Sequence, residues 1–306
     1  MSTDDPASGP WLEIAVEVAG IDAEIAADLL RQACPGGVAI ETPSRLDRAT
    51  ETYVADGDAA SLVKGYVRPA DDVERLRRNL EIALQTAPLQ RPAVWHETRE
   101  LADEDWRDAW KKYFGVQRVG RRLVIVPSWV EHRVKPDDIV LRIDPGMAFG
   151  TGQHPTTAMC LAALEDVAVN HASVLDIGCG SGILAIAAAK LGASRIVAID
   201  IDPQAIKATR ANAAENGVTD VIEAREGTLE AQSEQFDVVV ANISGLTLER
   251  LAPLLARALA PGGRLIASGF LEDAVDGLRA AFAGAGLGVE QTVEDGIWRA
   301  IIARRP

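Results

Sequence analysis

Two short segments of this 306-residue chain have the residue types and spacing of a ligand site. The first is V-L-D-I-G-C-G-S-G, residues 174–182. It follows an apolar run and opens a helix-like one, the position at the carboxyl end of a sheet strand where open α/β sheets bind ligands. Gly178, Gly180 and Gly182 let the backbone come close to a ligand. In the dinucleotide fingerprint, G-x-G-x-x-G, the third glycine stands one residue later than it does here. The second segment, D-P-G-M-A-F-G-T-G-Q-H-P-T-T, covers residues 144–157 and lies between a strand-like and a helix-like run. Irregular glycine-rich segments of this kind are uncommon inside compact domains unless they have a task. A plain linker is the bland alternative, but linkers rarely combine Met, Phe and His with three glycines.

Charge narrows the ligand. Asp176 precedes the glycines, and a carboxylate beside a phosphate-binding loop would repel its ligand. A ligand carrying an amine is favoured instead, and S-adenosylmethionine, with an amino group, a ribose and no phosphate, fits. The next strand ends in Asp200, 22 residues after Gly178, where an acidic side chain can accept both ribose hydroxyls. The alternative for Asp200 is a helix cap ahead of Asp202-Pro203. A later strand ends in Asn242, which brings an amide to the point where the strand order reverses, near a transferable methyl group; a loop-capping amide is its alternative. Cys179 reads as a small residue rather than a nucleophile.

Elements that can position these residues follow from periodicity. Residues 1–10 read as a disordered lead. Strand-like alternation at 11–18, a helix at 21–33, strands at 38–41 and 61–68, a helix at 71–87 capped by Asp71 or Asp72 and a strand at 93–100 give the order β-α-β-β-α-β. This is the signature of a small ferredoxin-like α+β domain. A linking helix is predicted at 103–114, with strands at 121–129 and 137–144. From 173 onward strands and helices alternate, with Pro253 as a break or kink in the helix after Asn242. The chain finishes as a hairpin about Asp295-Gly296. Alternation of this kind predicts a doubly wound, mostly parallel α/β sheet. The expected domains are 1–95 for recognition, 96–120 as linker and 121–306 for chemistry.

Composition sets outer limits. The chain is 48% hydrophobic and 25% charged, as a soluble globular protein is. Its 31 basic against 45 acidic residues give a net charge of −14, which argues against direct nucleic-acid binding and is compatible with a basic protein partner. Cys34, Cys160 and Cys179 are scattered, as are the four histidines, so neither a disulfide framework nor a metal site is expected. No Lys or Arg precedes Arg31 and no apolar run reaches the length of a membrane span, so a cytoplasmic, monomeric protein is expected.

Taken together the motifs resemble the class I S-adenosylmethionine-dependent methyltransferases, with their Rossmann-like seven-stranded sheet. More narrowly, Gly146 to Thr157 resemble the G-M-A-F-G-T-G-x-H-x-T-T motif of the bacterial methyltransferases of large-subunit ribosomal protein eleven. Residues 103–129 are similar to that family's linker region, and the resemblance covers the whole chain. It implies cofactor contacts at Thr157, Gly178, Asp200 and Asn242, joined by Asp176 and Gly180 from the reading above. It implies that Phe149, Gly150 and Thr151 line the methionine end of the cofactor. The family carries Asn-Ile-Leu-Ala where this chain has Asn242-Ile243-Ser244-Gly245. The implied reaction is methyl transfer to lysine ε-amines, and to the N-terminal α-amine, of ribosomal protein eleven, free or on the ribosome, with the N-terminal domain gripping the substrate.

The expected chemistry is in-line attack of an uncharged amine on the sulfonium methyl, with no metal. Asn242 is the candidate for orienting that amine. His154 is a candidate proton relay, with a turn-stabilising ring as the alternative. The rivals are a protein-lysine methyltransferase with another substrate, a nicotinamide-dependent dehydrogenase, an RNA methyltransferase and a non-catalytic, cofactor-binding ribosome-assembly factor. The glycine spacing, Asp176 and the final hairpin count against the dehydrogenase, and the acidic balance against the RNA enzyme.

Overall fold

The computed structural model describes residues 11–34, 36–41, 44–47, 52–55, 59–68, 72–101, 115–143, 154–167, 169–231 and 233–306. The chain divides into two compact units, residues 1–114 and 115–306. The helix expected at 103–114 lies outside the described residues, as do residues 1–10 and 144–153.

The first unit runs β1 (Trp11–Ala19), α1 (Ala23–Ala33), β2 (Val38–Glu41), β3 (Ser44–Asp47), β4 (Thr52–Ala55), β5 (Ala60–Val67), α2 (Val73–Thr86), β6 (Val94–Trp95) and β7 (Arg99–Leu101). Its main sheet has the order β2-β5-β1-β6, with β7 also on β1, and every pair is antiparallel. Alternation in β1 drives the packing: Ile14, Val16 and Val18 are buried with Ala26 and Leu30 of α1 and Leu80 and Leu84 of α2. Asp72 caps α2, its carboxylate accepting from the backbone N–H of Arg75 at 3.1 Å. Two features differ from the expectation. The stretch between β2 and β5 holds a separate hairpin, β3 with β4. The single strand expected at 93–100 is two short ones, both pairing with β1.

The second unit opens with a three-stranded sheet, β8 (Gln117–Val119), β9 (Leu123–Pro127) and β10 (Ile139–Ile143), in which β9 and β10 are parallel. Then come α3 (Pro155–Asp166), β11 (Ser173–Ile177), α4 (Ile183–Lys190), β12 (Arg195–Asp200), α5 (Pro203–Glu215) and β13 (Ile222–Glu226). The unit continues with β14 (Phe236–Asn242), α6 (Gly245–Ala258), β15 (Leu259–Leu271), α7 (Val275–Gly284), β16 (Gly288–Asp295) and β17 (Trp298–Arg304). The large sheet has seven strands in the order β13-β12-β11-β14-β15-β17-β16. It is parallel from β13 to β15, and β17 runs antiparallel to both of its neighbours.

Strands covered on both faces read as continuous apolar runs, and the central strands do. Val174, Ile196, Ala198, Val238 and Val240 face one core with residues of α3, α4 and α5. Leu175, Val197, Ile199, Val239 and Ala241 face the other with α6 and α7. Helix α6 does not end at Pro253 but runs through it. An internal proline costs about 3 kcal/mol, and burial of Leu248, Leu251, Ala252 and Leu255 outweighs it, since each fully buried leucine contributes about 1.5–3 kcal/mol. Strand order reverses beside β11, whose neighbours are β12 on one side and β14 on the other. The carboxyl ends of these three strands carry Ile177, Asp200 and Asn242.

Candidate active site

The glycine loop leaves β11 by a turn that only glycines make without strain. Gly178, Gly180 and Gly182 have φ of +69°, +53° and +79°, in the left-handed region that costs other residues about 1 kcal/mol or more. The turn is fastened to β12 by the N–H groups of Gly178 and Cys179, which donate to the carbonyl of Ile199 at 2.9 and 3.1 Å. The Thr209 hydroxyl donates to the Gly180 carbonyl at 3.0 Å.

Asp200 ends β12, and its carboxylate accepts from the N–H of Gly180 at 3.0 Å and from that of Asp202 at 3.0 Å. The helix cap that the sequence left open for Asp200 is made by Asp202, whose carboxylate accepts from Gln204 at 2.8 Å. Asp200 thus has one protein bond on each oxygen and lone pairs left for a diol. The next residue, Ile201, is 75% exposed. It is an exposed apolar side chain directly after that carboxylate in sequence, and sequence reasoning did not single it out. An apolar residue between two aspartates, in D-I-D, was the available signal.

Asp176 is fully buried. One carboxylate oxygen accepts from the backbone N–H of Ala185 at 3.1 Å, and the other, Oδ1, has no hydrogen-bond partner. Burial pushes its pKa up to about 7, and the nearby Asp200 pushes in the same direction while the Ala185 N–H opposes them. The thiol of Cys179 is pushed up to about 12, first by burial and then by the Asp176 charge; Cys160 is also raised, by the same two causes. Neither thiol is a nucleophile near neutral pH.

Asn242, at the end of β14, points its amide at α3. Its Nδ2 donates to the hydroxyl of Thr157 at 3.2 Å, while its Oδ1 is buried with no hydrogen-bond partner. Leaving a buried acceptor unpaired costs about 1–3 kcal/mol, and among the described residues two side-chain oxygens are left so, on Asp176 and Asn242, near the carboxyl ends of adjacent strands. His154 caps α3. Its Nδ1 accepts from the N–H of Thr156 at 3.2 Å and lies 2.6 Å from the Thr156 hydroxyl. The ring edge packs on Trp298, with centroids 4.6 Å apart and planes at 67°. A ring nitrogen that accepts a backbone N–H carries no proton, so Nδ1 belongs to the cap and any relay would run through Nε2. Of the predicted site residues, Phe149, Gly150 and Thr151 lie outside the described residues. At the last position of the turn after Asn242, a methyl group on Gly245 would stand close, 3.1 Å from Cβ of Phe270 and 3.4 Å from Cβ of Ala274.

A sequence profile of the ribosomal protein L11 methyltransferase (PrmA) family matches residues 10–306. The chain belongs to the ribosomal protein L11 methyltransferase family. The L11 methyltransferase of Pelotomaculum thermopropionicum is 42% identical to it over 96% of this chain and 98% of its own length. That of Chloroflexus aurantiacus is 40% identical, over 97% and 98%. The crystal structure of a ribosomal protein L11 methylase from Lactobacillus delbrueckii subsp. bulgaricus matches with a TM-score of 0.60 and 35% identity, covering 63% of this chain and all of that one. As a member of the L11 methyltransferase family the chain is an S-adenosylmethionine-dependent methyltransferase. The residues present fit that donor. A buried carboxylate with an unpaired oxygen suits an ammonium group, the half-satisfied Asp200 suits a ribose diol, and the glycine loop offers no cation for a phosphate.

Folding keeps Asp176 protonated up to about pH 7, whereas the unfolded chain loses that proton near an ordinary carboxyl pKa of about 4. Between those values the folded state binds the extra proton, so this group removes stability as pH rises. Asp176→Asn is expected to raise the ligand-free melting temperature by several degrees at pH 8 and far less near pH 4.5. The same variant should weaken S-adenosylmethionine binding by about tenfold or more, as loss of a charged hydrogen-bond partner does; calorimetry reads both. For His154, asparagine is a good cap and alanine is not. His154→Asn should keep turnover within about threefold, and His154→Ala should lose about 1 kcal/mol of stability by denaturant melts. A relay role would instead cost both variants about 10²-fold or more in rate.

Proposed function

We propose that this chain transfers methyl groups from S-adenosylmethionine to amines of ribosomal protein L11, chiefly lysine ε-amines and also the N-terminal α-amine. The family relationship over nearly the whole chain supports the substrate. The observation that carries the chemistry is the pair of buried, unpartnered oxygens at the ends of β11 and β14. In this reading Asp176 receives the ammonium group of the methionine end, Asp200 the ribose hydroxyls, and Gly178 and Gly180 give the backbone close approach. Ile201 covers the purine. Phe149, Gly150 and Thr151 are assigned to the methionine end from the family resemblance alone.

Bound there, S-adenosylmethionine supplies a methyl group already activated on a positive sulfur. The residues of the chain have to provide position and a dry, aprotic setting. A lysine amine with an ordinary pKa of about 10.4 is protonated in water, and the apolar surroundings of the strand ends lower that value by withdrawing solvent from the charge. The Asn242 Oδ1 accepts a hydrogen bond from the neutral amine and aims its lone pair at the methyl carbon. Thr157 holds the amide of Asn242 in the orientation that presents oxygen, not nitrogen. The leaving proton passes to solvent.

In this reading residues 1–95 grip the substrate and residues 96–120 link them to the catalytic part, with the two ends of that segment paired into the sheets on either side, Arg99–Leu101 on β1 and Gln117–Val119 on β9. The enzyme works as a monomer, without direct nucleic-acid contact, in a reducing cytoplasm where its three buried cysteines stay as thiols. The net charge of −14 favours encounter with a basic ribosomal protein.

The deciding experiment uses ribosomal proteins from cells lacking the enzyme, the purified chain and labelled S-adenosylmethionine, with products resolved by mass. Whole-methyl mass gains on L11 alone are expected. Label on another protein would keep the chemistry and move the substrate, and no label despite cofactor binding would favour an assembly factor. Asn242→Ala should cut kcat on L11 by about 10²-fold or more, with a much smaller change in cofactor affinity. Full turnover in that variant would rule out the orienting role.

A further inference from the structure

The turn that carries Asn242 is set by a bulge in the neighbouring strand. Asn242 pairs with Ser268 in the β14–β15 ladder, and the N–H of Ile243 donates to the Ser268 carbonyl at 3.0 Å. On the far side of β15 the register with β17 shifts between Ser268 and Phe270, which leaves Gly269 as the extra residue. Its φ is +96°. A β-carbon built there would lie 2.4 Å from the carbonyl oxygen of Ile243, 2.8 Å from its carbonyl carbon and 2.9 Å from its nitrogen. These are backbone atoms, so no rotamer change relieves the clash. The bulge is pinned from the other side by the Ser268 hydroxyl, which donates to the Arg299 carbonyl at 2.9 Å.

Ile243 faces the cofactor loop as well. A β-carbon on Gly178 would come within 2.6 Å of its Cγ2. One residue, Ile243, is thus held by its backbone against the β15 bulge and by its side chain against the glycine loop, and Asn242 is the residue immediately before it. Bulges commonly re-aim a side chain beside an active site, and here the side chain in question has only one other tie, to Thr157 at 3.2 Å.

We infer that Gly269 is a positioning residue for methyl transfer: it lets the Ile243 peptide sit against β15 and so fixes the direction in which Asn242 presents its amide oxygen. The inference rests on the orienting role given to Asn242 above. It predicts a far larger effect on the transfer step than on cofactor binding, because Asp176 and Asp200 stand on β11 and β12, outside this turn.

The test is a double-mutant cycle of Gly269→Ala with Asn242→Ala, measured as kcat on ribosomal protein L11 and as the dissociation constant of S-adenosylmethionine. It is accompanied by a crystal structure of Gly269→Ala. The single variant is expected to lose about 10²-fold in kcat, the size of loss that a 1 Å misplacement brings, with cofactor affinity changed less than about threefold. Asn242 should be seen detached from Thr157. In the Asn242→Ala background the glycine substitution should cost nothing further, since two residues acting through one group are not additive. Additive losses, or an unmoved Asn242 with full kcat, would overturn the inference. If Gly269→Ala does not fold, Ser268→Ala releases the same bulge from Arg299 without a clash. It is expected to lower kcat several-fold with the same non-additivity, and additive behaviour there counts equally against the inference. The crystal structure needs no substrate, so an L11 that is not methylated by the unaltered enzyme would defeat the proposed function while leaving the movement of Asn242 to decide this one.

Discussion

A side-chain amide can orient another molecule only if one end is tied and the other left open, and that bond between Asn242 and Thr157 is what the surrounding architecture secures. Thr157 is in place because His154 caps the first turn of α3 and rests its ring on Trp298 of β17. Asn242 is in place because its strand is buried on both faces and the turn after it is clasped by β15. The two residues are 85 positions apart in sequence. Their meeting depends on the packing of α3 onto the core that contains Val174, Val238 and Val240.

The second constraint is dielectric. Asp176 sits where burial opposes its charge, so in the absence of a cation the fold carries a carboxyl group that it would be better without. Such strain is typical of positions kept for binding rather than for stability. The neighbouring thiols of Cys160 and Cys179 feel the same setting and are held protonated by it. Near a methyl donor, itself an alkylating agent, these two thiols are thus kept in their least reactive form.

Much of this was legible in the sequence because periodicity and glycine placement are local signals. The alternation from residue 173 onward, the final hairpin and the residues ending β11, β12 and β14 are each readable within a window of a few residues. What was hidden was non-local or short. The β3–β4 hairpin uses strands of only four residues, Ser44–Asp47 and Thr52–Ala55, too short for an alternation to stand out. Strand β8 has three residues. The break between β6 and β7 reflects pairing with β1, not a change in composition. The helix does not break at Pro253 because the local cost is outweighed by burial that only the tertiary structure reveals. At the site, Asp176, Asp200 and Asn242 could be picked by position, but the orphaned oxygens, the cap made by His154 and the bulge at Gly269 are properties of the assembled sheet.

The placement of β17 has a consequence for how the catalytic unit comes together. This strand is the last of the seven in sequence, yet it lies inside the sheet, between β15 and β16, with Ile301 and Ala303 fully buried. As the chain is made from its N-terminus, β15 waits with an open edge and β16 has no strand to pair with until residues 298–304 follow. Open edges of this kind are templates for pairing with other chains. The unit therefore passes through a stage in which five strands are laid down and the ring of His154 still lacks the indole it rests on. The edge of β15 and the resting place of the His154 ring are therefore both completed by the last strand of the chain.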